Sequence, residues 1–290
     1  MCGINKMDYE ISHTENYLNK MDSVISWLSD KGFRANCSRY SKYKKYLNDF
    51  YNEGNINDLD DLAKRFEKAN TALQECIQII QVYNAFKDED GKGFNERLKN
   101  VVSGIDFYNS DNKADQPRDF LYELLTAVRF KDLGYAIDFE HITDVVAIRN
   151  DITLYVECKR IKSINGLEEN IRKACKQLSR VEDSKEYYRI IFIDIYNCLA
   201  DKIKDYEYSN LLCMRYQLNT ILENEFILKN TGLIEKILTK NLSNTLGVAF
   251  TATRCLWLSN MTPQYYQDCK VLTSSKIAEV DLKLLNEMLQ

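Results

Sequence analysis

Proline and histidine are nearly missing from this chain of 290 residues, at two each, and glycine is held to ten. So few breakers exclude proline-rich linkers and make long uninterrupted helices and strands easy to build. Two histidines, with nine cysteines that form no CxxC pair, argue against a structural zinc site. No apolar run approaches the length that spans a bilayer. No GxxxxGK[ST] loop is present, so the chain does not read as an ATPase. A basic excess is lacking too, the formal net charge being −4. A polyanionic partner would have to meet a local basic surface, or a bound cation, rather than the chain as a whole.

What is present is the balance of a folded protein, 45% hydrophobic and 28% charged, in a length that suits one large domain or two modest ones. The stretch Met1–Lys20 is polar, with no apolar run followed by a cleavage site, so the expectation is reduced thiols and a cytoplasmic location. The first third reads as helical. Leu18, Met21, Ile25 and Leu28 fall on one helix face, with Gly32 as the stop. From Asn57 to Phe86 the positions Leu59, Leu62, Phe66, Ala69, Leu73, Cys76, Ile80 and Tyr83 alternate steps of three and four, a heptad seam. Asn57 or Asp58 is the candidate cap. The seam fits a helical bundle, or an arm for dimerisation or for a partner. A shorter helix follows from Phe94 to about Val102.

The polar stretch Asn109–Gln116 reads as a boundary, giving an all-helical region 1–112 and an α/β domain 113–290. Pro117 suits the first turn of a helix running to about Lys131. Three β-like runs follow, Tyr135–His141, Asp144–Arg149 and Ile152–Arg160, the last two joined by a turn at Asn150–Asp151. Next come a helix at about Leu167–Val181, a buried strand at Arg189–Asn197 and helix over about Arg215–Asn241, interrupted near Gly232. A β-like run Gly247–Leu258 and a terminal helix from about Ser275 complete the chain.

Chemistry concentrates in Thr143–Arg160. In the strand Ile152–Arg160, Glu157 and Lys159 project from the same face as Thr153 and Tyr155, while Leu154, Val156 and Cys158 point the other way. Asp144 would share a face with Val146 and Ile148, where a carboxylate needs a partner to offset its desolvation. A hairpin can bring Asp144 close to Glu157, so that two carboxylates and one ammonium converge. Two carboxylates suit Mg²⁺, a hard cation. A bound metal activates water and stabilises charge on a reacting phosphate, and a lysine can orient that water or help deprotonate it. The Cys158 thiol faces away and has no histidine placed to activate it. His141, near Asp144, reads as structural or exposed.

Asp144, then Glu157-Cys158-Lys159, within the order helix, three strands, helix, strand resembles the PD-(D/E)XK, or restriction-endonuclease-like, superfamily over about residues 117–200. The resemblance implies a mixed central sheet flanked by helices, with Asp144 and Glu157 as metal ligands and the Cys158 carbonyl as a third. It also implies Lys159 as the catalytic lysine and Mg²⁺, with Mn²⁺ able to substitute, as the cofactor. Many members add a glutamate from the preceding helix, here Glu123, and a polar residue on the following helix, here Gln177. Thr143 stands where the motif has proline. The activity implied is endonucleolytic cleavage of DNA, the substrate most members cut, in restriction or anti-phage defence. A toxin-like ribonuclease of the same fold and a non-catalytic helical interaction protein are the alternatives.

Two basic sets are candidates for phosphate contact. Between Lys31 and Asn48 lie six basic residues and no acidic one, among them Lys42, Lys44 and Lys45, with Phe33, Tyr40, Tyr43 and Tyr46 interleaved. The same pattern fits a solvated helix face with core tyrosines. Arg160, and Arg172, Lys176 and Arg180 at four-residue steps on the helix carrying Gln177, form the second set. A solvated outer face fits that set too. The expected partners are DNA, a second copy through the helical arm, and an accessory helicase, ATPase or sensor. No membrane is expected among them.

Overall fold

Helix α1 (Thr14–Asp30) buries Met21, Val24, Trp27 and Leu28 and ends at Gly32. The Gly32 N–H bonds to the Ser29 carbonyl and the Phe33 N–H to that of Leu28, with Gly32 at φ +83°. This doubly bonded left-handed cap satisfies carbonyls the helix leaves open. The computed structural model describes residues 14–52, 59–107, 115–182, 187–199, 202–203, 208–241, 245–259, 263–273, 282–283 and 285. The chain divides into two compact units, one reaching to Leu125 and the other beginning at Thr126. The boundary expected near residue 112, the cap at Asn57–Asp58 and most of the terminal helix after Ser275 lie outside the described residues.

In the first unit, α2 (Arg39–Asn52), α3 (Leu59–Phe86) and α4 (Lys92–Val102) join α1 in an all-helical assembly. The seam positions Ala69, Leu73, Cys76 and Ile80 of α3 are buried, and burial runs unbroken from Glu75 to Val82. A helix buried on every side over two turns is a central core element, not one partner of a two-stranded coil. Trp27 of α1 meets Tyr83 edge-on at 5.4 Å, and Phe86 packs on Phe94 of α4 at 5.5 Å.

Helix α5 (Gln116–Asp132) runs across the division. It ends at Gly134, φ +84°, with the same pair of bonds as α1, and Tyr135 stacks edge-on against Phe130. An added Cβ at Gly134 would meet nothing within 4 Å. Gly134→Ala is therefore expected to cost only the backbone penalty, about 1 kcal/mol, read as a lower urea midpoint with unchanged slope.

The second unit is α/β. Six strands lie in sequence order in one mixed sheet: β1 (Ala136–Asp138), β2 (Val145–Arg149), β3 (Ile152–Arg160), β4 (Tyr187–Asp194), β5 (Thr245–Trp257) and β6 (Pro263–Leu272). β1 to β3 are antiparallel and joined closely. Asn150 takes φ +54° in the β2–β3 turn, a conformation asparagine tolerates. β3, β4 and β5 are parallel, so each connection needs a crossover. These are α6 (Leu167–Leu178), then α7 (Tyr196–Leu199), α8 (Leu211–Ile221) and α9 (Leu228–Asn241). Ile171 and Leu178 of α6, Met214 and Leu218 of α8 and Ile237 of α9 form one core with Tyr155, Ile191, Ile193 and Phe250 on one sheet face. On the other face Phe130 of α5 sits edge-on against Phe192 at 5.6 Å.

Three expectations shift. The helix after residue 211 is interrupted by a π-turn at Leu222–Ile227, and Gly232 lies inside α9. A glycine costs a helix only about 1 kcal/mol, whereas a π-turn comes from one extra residue in the ladder and has no residue-type signature. β1 is shorter than the run expected. β6 was not anticipated, because the adjacent pair Tyr266–Gln267 interrupts its alternation; it is an edge strand that opens on Pro263, where a missing N–H does no harm. The described cysteines are free thiols, and no described helix is long and apolar enough to cross a membrane.

Candidate functional site

The β2–β3 register builds the site. Val145 pairs with Val156 and Val146 with Tyr155, so Asp144, one residue before β2, comes opposite Glu157 on the same face. β2 begins at Val145, and among the described residues no strand pairs with that edge of β3 beyond Val156. The Cys158 N–H, which would have continued the ladder, instead donates to Asp144 Oδ2 at 2.7 Å. In an extended strand a residue's N–H and C=O leave by the same edge, so the Cys158 carbonyl opens onto the same gap as the Asp144 carboxylate. The Cys158 thiol is buried on the opposite face.

Lys159 Nζ donates to Glu157 Oε2 at 3.1 Å and lies 3.6 Å from Asp144 Oδ2. The three side chains are graded in depth: Glu157 is 0% exposed, Asp144 and Lys159 each 19%. Glu157 Oε1 is buried without a hydrogen-bond partner. Burial first, and the neighbouring Asp144 carboxylate second, push the Glu157 carboxyl up to about 8, against the pull of Lys159. Burial draws the Lys159 ammonium down, but Asp144 and Glu157 outweigh it and hold it above its ordinary range. Lys159 is therefore a cation at neutral pH, a donor rather than a base.

The donor set fits a hard divalent cation. Asp144, Glu157 and the Cys158 carbonyl offer oxygen only, and Glu157 Oε1 is a buried acceptor without a donor. Among the described residues no group of three His, Cys, Asp or Glu side chains could hold a metal ion. The protein thus supplies two carboxylates, which suits Mg²⁺, an ion usually held by one or two carboxylates and otherwise by waters and phosphate oxygens.

The other candidate residues are placed differently. Glu123 lies in the helical unit, ion-paired to Arg97 at 3.2 Å. Gln177 is half-buried on α6 and makes no hydrogen bond to Asp144, Glu157 or Lys159. Thr143, in the place of the motif's proline, is buried. Arg160 pairs with Asp194 at 3.2 Å across the ends of β3 and β4. Arg172 and Lys176 lie on the exposed face of α6, Arg172 bonding Glu168 one turn away at 2.6 Å, and Arg180 is exposed in the turn past the helix end. On α2, Lys42 pairs with Asp106 at 3.2 Å, Lys44 pairs with Asp22 and Lys45 is exposed. Tyr40 and Tyr43 are core residues, which takes both rings out of any base-stacking role. Residues given no site role from the sequence lie nearby: Tyr155 is on the same face two residues before Glu157, with His141 and Tyr187 against it. The strand alternation was the available signal for Tyr155. No protein-family model matches the chain, and no curated protein matches it.

Proposed function

We propose that the chain is a metal-dependent phosphodiesterase of the PD-(D/E)XK type, an endonuclease acting on DNA in restriction or anti-phage defence. One observation carries the reading: Asp144, Glu157 and Lys159 converge at the edge of β3 beyond its pairing with β2, with the inner carboxylate wholly buried and one of its oxygens unpartnered. Burying such a cluster costs stability, and carboxylates perturbed by burial and by each other at a strand edge are what a functional site requires. The element order α5, β1–β3, α6, β4 supports the same reading.

Asp144, Glu157 and the Cys158 carbonyl would hold Mg²⁺, or Mn²⁺ in its place, and a cation bound there lowers the pKa of a water and draws charge from a phosphate oxygen. Asp144 is held in line by the Cys158 N–H, so its second oxygen can turn to a ligand without loss of orientation. Lys159, anchored between the two carboxylates, presents an ammonium at the mouth of the site. There it can donate to the attacking water or to a non-bridging phosphate oxygen as negative charge grows. A cation held there would favour the ionised form of Glu157, its positive charge offsetting the burial and the Asp144 carboxylate that raise its pKa.

The test compares wild type with Lys159→Ala on plasmid, linear duplex, single-stranded DNA and RNA, each with Mg²⁺, Mn²⁺ or EDTA. Cleavage should require metal and fall at least about a hundredfold in the variant. Equal cleavage by both proteins would remove the assignment, and cleavage of RNA alone would move it to a ribonuclease. If neither protein cuts, calorimetry of Mn²⁺ binding to wild type and Asp144→Ala decides whether the centre takes a metal.

A further inference from the structure

The segment that delivers Asp144 also carries two exposed side chains that the proposed chemistry does not use. His141 is 47% exposed and Ile142 66%, while Thr143, next in the chain, is buried and fixes the segment to the sheet. His141 Nε2 lies 3.0 Å from Asp138 Oδ2, which anchors the imidazole. Its ring meets Tyr155 at 6.3 Å and 88°, and Tyr155 meets Tyr187 at 5.5 Å and 75°. Tyr155 is itself nearly buried and acts as the wall that sets both neighbouring rings. Two residues along a strand span about 7 Å, so Tyr155 and the His141 ring set against it stand beside Glu157.

A bare isoleucine next to edge-packed rings offers little to a phosphate or a cation. It suits a flat, largely apolar partner that stacks, and among the parts of a nucleic acid that is the base. In a continuous duplex the faces of a base are covered by its neighbours, so only an unstacked base can reach these side chains. We propose that His141, packed on Tyr155, and its exposed neighbour Ile142 form a seat for one unpaired nucleobase beside the Asp144–Glu157–Lys159 centre. As a feature of the substrate this rests on the nuclease reading, but capture of the base needs no metal and no cutting.

The experiment measures anisotropy of labelled strands with the full chain in EDTA: an oligothymidine, an abasic strand of the same length and a blunt duplex. Wild type should prefer the oligothymidine to the abasic strand by about tenfold. The double variant His141→Ala, Ile142→Ala should lose that preference while binding the abasic strand as before, and His141→Phe, which keeps a ring, should retain it. Equal binding of base-bearing and abasic strands by wild type overturns the seat. So does equal weakening of both strands in the double variant, which marks a folding or charge effect. Cleavage by wild type against Lys159→Ala is read separately. Cutting without base preference keeps the nuclease and removes the seat, whereas base-dependent binding without cutting keeps the seat.

Discussion

Glu75→Gln is expected to destabilise the helical unit by about 3–5 kcal/mol, the cost of leaving a buried charge without its partner. Glu75 stands on α3 between two arginines: Arg39 lies 3.0 Å away with its side chain fully buried, and Arg118 is bonded on the other side. Arg118 also binds Asp115 at 3.0 Å, the Tyr43 hydroxyl at 3.0 Å and the Asp106 carbonyl at 2.8 Å. Burial draws the Arg39 guanidinium down and Glu75 more than restores it, so Arg39 stays charged in the core. The Tyr40 hydroxyl beside it is pushed up to about 12, chiefly by burial, and stays neutral. In the variant Arg118 keeps Asp115 as a counter-charge, but Arg39 keeps only neutral partners, the Tyr40 hydroxyl at 3.1 Å among them. Loss of far less than 1 kcal/mol in urea unfolding would show that Arg39 finds water or another anion. The double variant Arg39→Met, Glu75→Leu is the control. Exchanging a buried pair for apolar side chains is often neutral or stabilising, so it should recover most of the loss if the unpaired charge is the cause.

This network was hidden in the sequence for a definite reason. Arg39 stands among five other basic residues in a stretch without an acid, and charge patterning alone reads such a stretch as a solvated or phosphate-binding surface. Its counter-charge comes from another helix, and no local rule connects the two. The candidate centre was legible because its geometry is local. A two-residue turn at Asn150–Asp151 pairs Arg149 with Ile152, and from that register Asp144 falls opposite Glu157. Strand alternation then puts Lys159 on the same face. What the pattern could not give was depth: that Glu157 is sealed, that Asp144 takes a backbone N–H from beyond the end of β2, and that His141 is set against Tyr155. Those depend on where β2 starts and on what the crossover helices cover. Likewise helical periodicity fixes a face of α5 for Glu123 but not the neighbours met there, Arg97 among them.

Glu157→Gln is expected to abolish metal binding and cleavage while making the metal-free protein more stable at pH 8. The Glu157 carboxyl sits at about 8 in the fold, against about 4.5 in an unfolded chain. Between these values the native state holds a proton that the unfolded state has released. Stability in EDTA should therefore fall as pH rises through that window, by at most about 1.4 kcal/mol per pH unit for this one group. The variant carries no titrating carboxyl there. Its urea midpoint should match wild type near pH 4.5 and exceed it increasingly up to pH 8, where the wild-type carboxyl ionises in a sealed site beside Asp144. Mn²⁺ should reverse the order, raising the wild-type midpoint at pH 8 and leaving the variant unmoved. At pH 7 its binding to wild type should release close to one proton, seen as an enthalpy that changes with the ionisation heat of the buffer. If wild type and variant keep a constant difference from pH 5 to pH 8, Glu157 is ionised throughout and its burial is compensated by Lys159 alone. If the difference grows as expected, the centre holds a carboxyl that folding leaves protonated at neutral pH and that a bound cation would bring into its charged form.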